Sequence, residues 1–104
     1  MKVLFDQGTP APLRHELAGH DVATAYEMGW AQLENGELLR VPEQGFDVLL
    51  TTEQKLQYQQ NLKGRHLGIV VLPTTSWPKI QQHVTQITDA LSQIQPGELR
   101  TLRL

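Results

Sequence analysis

The chain has 104 residues, of which 39% are hydrophobic and 19% are charged, and its formal net charge at pH 7 is −2. This balance excludes intrinsic disorder, which requires low hydrophobicity or a high net charge, and predicts a single domain spanning residues 1–104. It also disfavours non-specific nucleic-acid binding, which depends on clustered Lys and Arg. The chain has no cysteine, so disulfides, thiolate metal sites and cysteine nucleophiles are excluded.

The first acidic residue, Asp6, comes after only three consecutive apolar residues, which is too soon for the core of a signal peptide. No apolar run approaches the roughly 20 residues that a membrane-spanning helix needs. We therefore expect a cytoplasmic protein that does not bind membranes.

The first half of the chain alternates strand and helix signals. Residues 2–5 form a β-rich run that stops at a glycine-containing turn signal. Thr9 precedes a proline and is predicted to cap a helix that ends at Gly19. A second strand is expected over residues 20–26.

The middle of the chain carries a second helix signal and a buried strand. Asn35 can cap a helix that Pro42 should shorten or kink. The continuous apolar run at residues 46–51 is typical of a strand buried on both faces. Thr51 and Gln54 have the spacing of a capping box, which predicts a short helix immediately after this strand.

The second half contains the clearest elements. Residues 67–72 predict a strand, and residues 98–104 predict a last one. Between them, apolar residues at helical spacing predict one amphipathic helix from Pro78 onward: Ile80, Val84, Ile87, Leu91 and Ile94. Strands alternating with helices indicate an α/β fold, a small three-layer α/β/α domain with a mainly parallel central sheet.

Three acidic residues follow the predicted strands. Asp6 ends the first strand, Glu37 lies at the start of the helix after the second, and Glu53 follows the third. Ligands of open parallel sheets bind beyond the carboxyl ends of the strands, so these carboxylates can converge there. Carboxylate oxygens suit Mg²⁺ or Mn²⁺, which generates a nucleophilic water for phosphodiester hydrolysis. Alternatively, Asp6 only stabilises a turn, and Glu37 and Glu53 only place a favourable negative charge in the first turn of a helix.

Three segments follow one another in the order and spacing of a PIN-like domain family, which the chain resembles over almost its whole length. They are Met1-Lys2-Val3-Leu4-Phe5-Asp6-Gln7, Gly19-His20-Asp21-Val22 and Val48-Leu49-Leu50-Thr51-Thr52-Glu53. PIN domains act as Mg²⁺- or Mn²⁺-dependent ribonucleases, often as the toxin of a toxin–antitoxin pair. The resemblance implies a PIN-like fold, RNA as substrate and an antitoxin as partner.

By the same resemblance, Asp6, Glu37 and Glu53 would be the metal-binding and catalytic set. Supporting polar groups would come from Asn35, Thr51 and Thr52.

Two departures from the family pattern leave a second hypothesis open. Glu53 stands where the pattern usually has Asp, and no fourth acid is evident in residues 70–76. The alternative is a catalytically weak or degenerate PIN-like module that acts by protein binding. It would pair with an antitoxin, or form a homodimer through its last helix or an edge strand.

Basic and aromatic residues give weaker signals for RNA binding. A basic rim of Lys55, Lys63, Arg65 and His66 would contact nucleic acid, or would simply belong to a solvated loop. Trp30 and Trp77 would either stack on bases or act as packing anchors of the core, as tryptophans of small domains usually do.

Overall fold

The computed structural model describes residues 1–33, 45–55 and 66–104. Its strands are β1 (Lys2–Phe5), β2 (Asp21–Thr24), β3 (Val48–Thr51), β4 (Gly68–Val71) and β5 (Leu99–Thr101). Its helices are a 3-10 helix (Ala11–Glu16), α1 (Trp77–Gln81) and α2 (Val84–Gln93). The helix predicted after Asn35 and most of the short helix predicted after Thr51 lie outside the described residues.

The five strands form one sheet in the order β2-β1-β3-β4-β5. Every neighbouring pair is parallel, with Leu4 of β1 opposite both Ala23 of β2 and Leu49 of β3. The chain therefore starts at β1, adds β2 on one side and then adds β3, β4 and β5 on the other. The predicted fold class, a small α/β domain with a parallel central sheet flanked by helices, is confirmed and is consistent with three layers.

Alternating side chains of the central strands enter two separate cores, as expected for strands buried on both faces. On one face Phe5 and Leu50 pack with residues from the 3-10 helix, the position just after it and α2: Leu13, Leu17, Ile87 and Leu91. On the other face Leu4 and Leu49 pack with Ile69, Val71 and the half-buried Trp30, Leu33 and Phe46. Burial of each large aliphatic side chain stabilises the fold by about 1.5–3 kcal/mol.

Two predicted helices differ from the structure. The first is a short 3-10 helix whose N-cap is Pro10, and Thr9 does not cap it. The last is interrupted at His83, whose φ of −123° and ψ of 24° leave the helical region. Ile80 before the break and Ile87 after it still enter the same core. The apolar spacing therefore predicted the buried face correctly, although it did not reveal the interruption.

Both tryptophans pack against the cores. Trp30 contacts Phe46 edge-on, with ring centroids 6.1 Å apart and an angle of 74° between the rings. Trp77, the first residue of α1, packs against the core that contains Ile80 and Ile87. These contacts support their role as packing anchors. No helix among the described residues is long and apolar enough to cross a membrane.

Candidate functional site

The strand order creates a topological switch point between β1 and β3, because the chain leaves β1 for β2 on one side and leaves β3 for β4 on the other side. In open α/β sheets the crevice for a ligand lies beyond the carboxyl ends of the strands at such a point. Asp6 follows β1 there and Thr51 ends β3. Asp6 is 8% exposed and Thr51 is fully buried. The structure thus places the predicted central carboxylate at the position where this fold class binds ligands.

Three hydrogen bonds hold the Asp6 carboxylate. Oδ1 accepts from the Thr9 amide at 3.0 Å and from the Thr9 hydroxyl at 2.8 Å, while Oδ2 accepts from the Thr51 hydroxyl. The Thr9 hydroxyl also lies 2.8 Å from the Leu50 carbonyl oxygen, so its single proton serves one acceptor or is shared. A carboxylate has about four acceptor positions. At least one position, on Oδ2, therefore remains for a further ligand.

The hydroxyl of Thr9 explains why this residue does not cap the 3-10 helix. It lies in the turn after β1 and is directed at Asp6 and at the end of β3 rather than at the helix amides. Asp and Thr in such turns commonly bond neighbouring backbone groups. From the sequence, Thr9 could either cap the following helix or form hydrogen bonds within the turn. In the structure its contact with Leu50 of β3 favours the second role.

Gly8 brings the loop after β1 against the loop after β3. A Cβ atom at this position would lie 2.2 Å from Oγ1 of Thr52 and 3.8 Å from Oδ1 of Asp6. Only a residue without a side chain fits this approach. Thr52 thus lies against the loop that carries Asp6, and Thr51 donates a hydrogen bond to the carboxylate directly.

Glu53 follows β3 as predicted, but its carboxylate is engaged within its own loop. Oε1 accepts a hydrogen bond from the Lys55 amide at 3.1 Å, and the Glu53 amide donates to the Thr51 hydroxyl oxygen at 3.0 Å. The Thr51 hydroxyl therefore bridges Glu53 and Asp6. Gln54 bonds the carbonyl oxygens of Thr52 and Leu72, so it does not complete the predicted capping box.

Four of the remaining predicted site residues lie outside the described part of the chain. Asn35 and Glu37 are in residues 34–44, and Lys63 and Arg65 are in residues 56–65. Lys55 is described and exposed. Within the described ranges, no three Asp, Glu or His side chains form a group that could hold a metal ion. A set of three carboxylates would therefore need an acid from outside the described residues, such as Glu37.

A cavity of about 470 Å³ opens beside Asp6, at the carboxyl ends of β1 and β2. Its walls are Asp6, Gln7, Thr9, Ala11, Thr24 and Tyr26. A second cavity of about 350 Å³ lies at the carboxyl ends of β4 and β5. Its walls are Pro73, Thr74, Lys79, Gln82, His83 and Leu104. Both cavities thus lie at the carboxyl ends of the strands, with Asp6 in the first and Lys79 and His83 in the second.

An ion pair fixes the turn on the outer side of the Asp6 cavity. Arg14 of the 3-10 helix pairs with Glu27 and also donates to the Val22 carbonyl oxygen at 3.0 Å. Glu27 accepts from the Thr24 amide at 2.9 Å, and its own amide donates to the Thr24 hydroxyl oxygen at 3.1 Å. The Arg14 guanidinium and the Thr24 amide hold the pKa of the Glu27 carboxyl below its usual value.

Sequence reasoning missed four residues of this site: Gly8, Thr9, Thr24 and Tyr26. A signal existed for the first two, since the segment Asp6-Gln7-Gly8-Thr9 carries three turn-forming residue types after a strand. Thr24 and Tyr26 carried no such signal, because only the pairing of β2 with β1 brings them beside Asp6.

No protein-family model, curated protein or solved structure matches this chain significantly. Residue chemistry and the geometry of the site are therefore the support for the function proposed next.

Proposed function

We propose that this chain is a PIN-like, metal-dependent nuclease that hydrolyses phosphodiester bonds in RNA, with Asp6 as the central ligand of a Mg²⁺ or Mn²⁺ ion. The observation that carries the proposal is the position of Asp6. Its carboxylate is 8% exposed, lies at the switch point of a parallel sheet and lines a cavity of about 470 Å³. A buried carboxylate is costly unless its charge is compensated, and among the described residues no lysine or arginine forms an ion pair with it.

The surroundings of Asp6 fit a metal ligand. The donors from Thr9 and Thr51 fix the carboxylate in one orientation and leave an acceptor position on Oδ2. Mg²⁺ in phosphoryl-transfer sites is usually held by one or two carboxylates together with water and substrate phosphate. Asp6 would supply the first carboxylate, and Glu53 or Glu37 the second.

The residues around Asp6 and those of the second cavity have different parts in this proposal. Thr9 and Thr51 orient the Asp6 carboxylate, and Gly8 allows the two loops to approach. Lys79 and His83, in the second cavity of the same edge, would contact a phosphate of the RNA chain. The bound metal would supply an activated water and would stabilise charge that develops on the phosphate.

Calorimetric titration of Mn²⁺ into the wild-type protein and into Asp6→Asn tests this proposal. We expect binding by the wild type that disappears in the variant, together with metal-dependent cleavage of RNA by the wild type alone. Asp21→Asn is the matched control. Asp21 is exposed and is the first residue of β2, so it lies at the amino end of the strand, away from the candidate site. Equal binding by wild type and Asp6→Asn, or no binding by either, would contradict the proposal.

Three observations on the described residues favour a second function, that of a protein-binding PIN-like module without strong catalysis. The carboxylates of Asp6 and Glu53 already accept hydrogen bonds, and the described residues contain no group of three metal-ligating side chains. In the described sheet, β2 and β5 are the edge strands, and edge strands can pair with a second chain. An antitoxin or a second copy of this chain would be the partner. Sedimentation that shows only monomers with and without a candidate antitoxin would contradict this alternative.

A further inference from the structure

Tyr26 is the most exposed large hydrophobic residue in the described part of the chain. Its side chain is 79% exposed, against 41% for Met28 and 40% for Met1. It follows β2 and forms one wall of the cavity that Asp6 also lines. An aromatic ring is thus presented to solvent at the entrance of the candidate metal site.

The backbone that carries Tyr26 is well anchored, although the ring is exposed. On the preceding side, the Ala25 amide donates to the Phe5 carbonyl oxygen at 2.8 Å. On the following side, the Gly29 amide donates to the Tyr26 carbonyl oxygen at 3.1 Å, in a turn that Gly29 closes with a φ of +78°. The Arg14–Glu27 pair fixes the same turn from outside. Such a platform loses little conformational freedom when a ligand binds to it.

The other described aromatic side chains are engaged elsewhere. Phe5 is fully buried, Trp30 and Phe46 contact each other, and Trp77 packs against the core under α1 and α2. Of the described aromatic rings, only that of Tyr26 is therefore both largely exposed and part of the Asp6 cavity.

We propose that Tyr26 is the residue of this site on which an unpaired base of the RNA stacks. The inference rests on the proposed function, from which it takes RNA as the substrate. A base within a duplex has both faces covered by its neighbours, whereas a base in a single strand or loop can be placed on an aromatic side chain. The phosphate next to the stacked base then lies beside Asp6.

Binding of RNA to an Asp6→Asn protein tests the inference without cleavage. The neutral Asn side chain removes the carboxylate charge that repels phosphate in the absence of metal. The probe is a fluorescently labelled single-stranded RNA, compared by anisotropy with a fully paired duplex of the same sequence. A base–aromatic contact is worth about 1–3 kcal/mol, so Tyr26→Ala should weaken single-strand binding by about 5- to 150-fold.

Two further variants make the test specific. Tyr26→Phe keeps the ring and should retain single-strand binding, while Met28→Ala removes another exposed apolar side chain of the same turn and should have no effect. Duplex binding should not depend on Tyr26. The inference is overturned if Tyr26→Ala binds the single strand as tightly as its parent, if Met28→Ala weakens binding equally, or if the parent does not bind single-stranded RNA.

Cleavage is measured separately in proteins with Asp6 intact. Tyr26-dependent binding without any metal-dependent cleavage would refute the nuclease proposal and leave the inference standing. Cleavage that is equally fast for duplex and single strand, and unchanged by Tyr26→Ala, would refute the inference and leave the nuclease proposal standing.

Discussion

The hydroxyl of Thr51, the last residue of β3, donates a hydrogen bond to Oδ2 of Asp6, the first residue after β1, across 45 residues of sequence. Both side chains are buried. Their contact exists because β1 and β3 are parallel neighbours in the sheet, so that their carboxyl ends lie side by side. It joins the two loops that bound the candidate site and orients the carboxylate proposed to bind metal.

Loss of the Thr51 hydroxyl should destabilise the fold. Thr51→Val keeps the shape of the side chain but removes a donor to a buried carboxylate and the acceptor for the Glu53 amide. We expect the free energy of unfolding to fall by about 1–3 kcal/mol, measured by urea denaturation. Thr85→Val, at an exposed position of α2, is the control and should change stability by no more than about 0.5 kcal/mol.

A double-mutant cycle attributes this loss to the contact with Asp6. If the hydrogen bond carries the effect, Thr51→Val and Asp6→Ala should be coupled by about 0.5–3 kcal/mol. Additive effects of the two substitutions would show that Thr51 contributes through its own loop alone.

Gly8 should not tolerate a side chain while Thr52 is present. In Gly8→Ala the new Cβ would lie 2.2 Å from the Thr52 hydroxyl oxygen, and we expect the rearrangement to cost about 1–3 kcal/mol in unfolding free energy. Because Thr52→Ala removes that oxygen, the double variant Gly8→Ala/Thr52→Ala should recover much of the loss. Gly45→Ala is the control, since within the described residues no atom other than those of its chain neighbours lies within 4 Å of its Cβ position, and its φ is not positive. Equal stabilities of Gly8→Ala and Gly45→Ala would contradict the close approach.

The ion pair between Arg14 and Glu27 should make the thermal stability of the protein depend on pH. Hydrogen bonds from Arg14 and from the Thr24 amide lower the pKa of Glu27 in the folded protein below its usual value of 4.5. The stabilisation is therefore fully present above pH 4.5 and is lost as the pH falls through the lowered pKa of the folded state. Glu27→Gln should melt at a lower temperature than the wild type at pH 7, and the difference should shrink as the pH is lowered below 4.5. A difference in melting temperature that is independent of pH would contradict this role of the charge.

Metal binding at Asp6 should raise the stability of the protein. At a free Mn²⁺ concentration roughly 100 times the dissociation constant, binding to the folded state adds about 2.7 kcal/mol. Thermal unfolding of the wild type should therefore shift upward with Mn²⁺ and return to its starting value when EDTA removes the ion. Asp6→Asn should show no shift, and Asp21→Asn should respond as the wild type does. A shift of equal size in Asp6→Asn would place the binding site elsewhere.

Much of the fold could be predicted from local sequence because its strands are continuous apolar runs. Residues 46–51 and 67–72 contain β3 and β4 with only their ends trimmed, since a strand buried on both faces needs apolar side chains at every position. Helix boundaries were less predictable. The apolar spacing identified the buried face of α1 and α2, but the break at His83 is a backbone feature that this spacing does not encode.

The candidate site was predictable only in part. Asp6 could be identified because it is an acid directly after a buried strand, and Thr51 because it ends one. Glu53 was correctly placed after β3, yet its carboxylate accepts a hydrogen bond from the Lys55 amide, a local contact that competes with any role in metal binding. The proposed roles of Glu37, Asn35, Lys63 and Arg65 remain predictions from the sequence.

The sequence by itself determined the class of this protein, a small α/β domain with a parallel sheet, and the acidic character of the end of β1. Hydrophobic periodicity and turn residues encode these features locally. The tertiary structure alone decided the strand order β2-β1-β3-β4-β5, and with it the neighbours of Asp6. Thr51 became a hydrogen-bond donor to Asp6 and Tyr26 a wall of its cavity, because strand pairing brings together residues that are distant in the chain and that no local pattern connects.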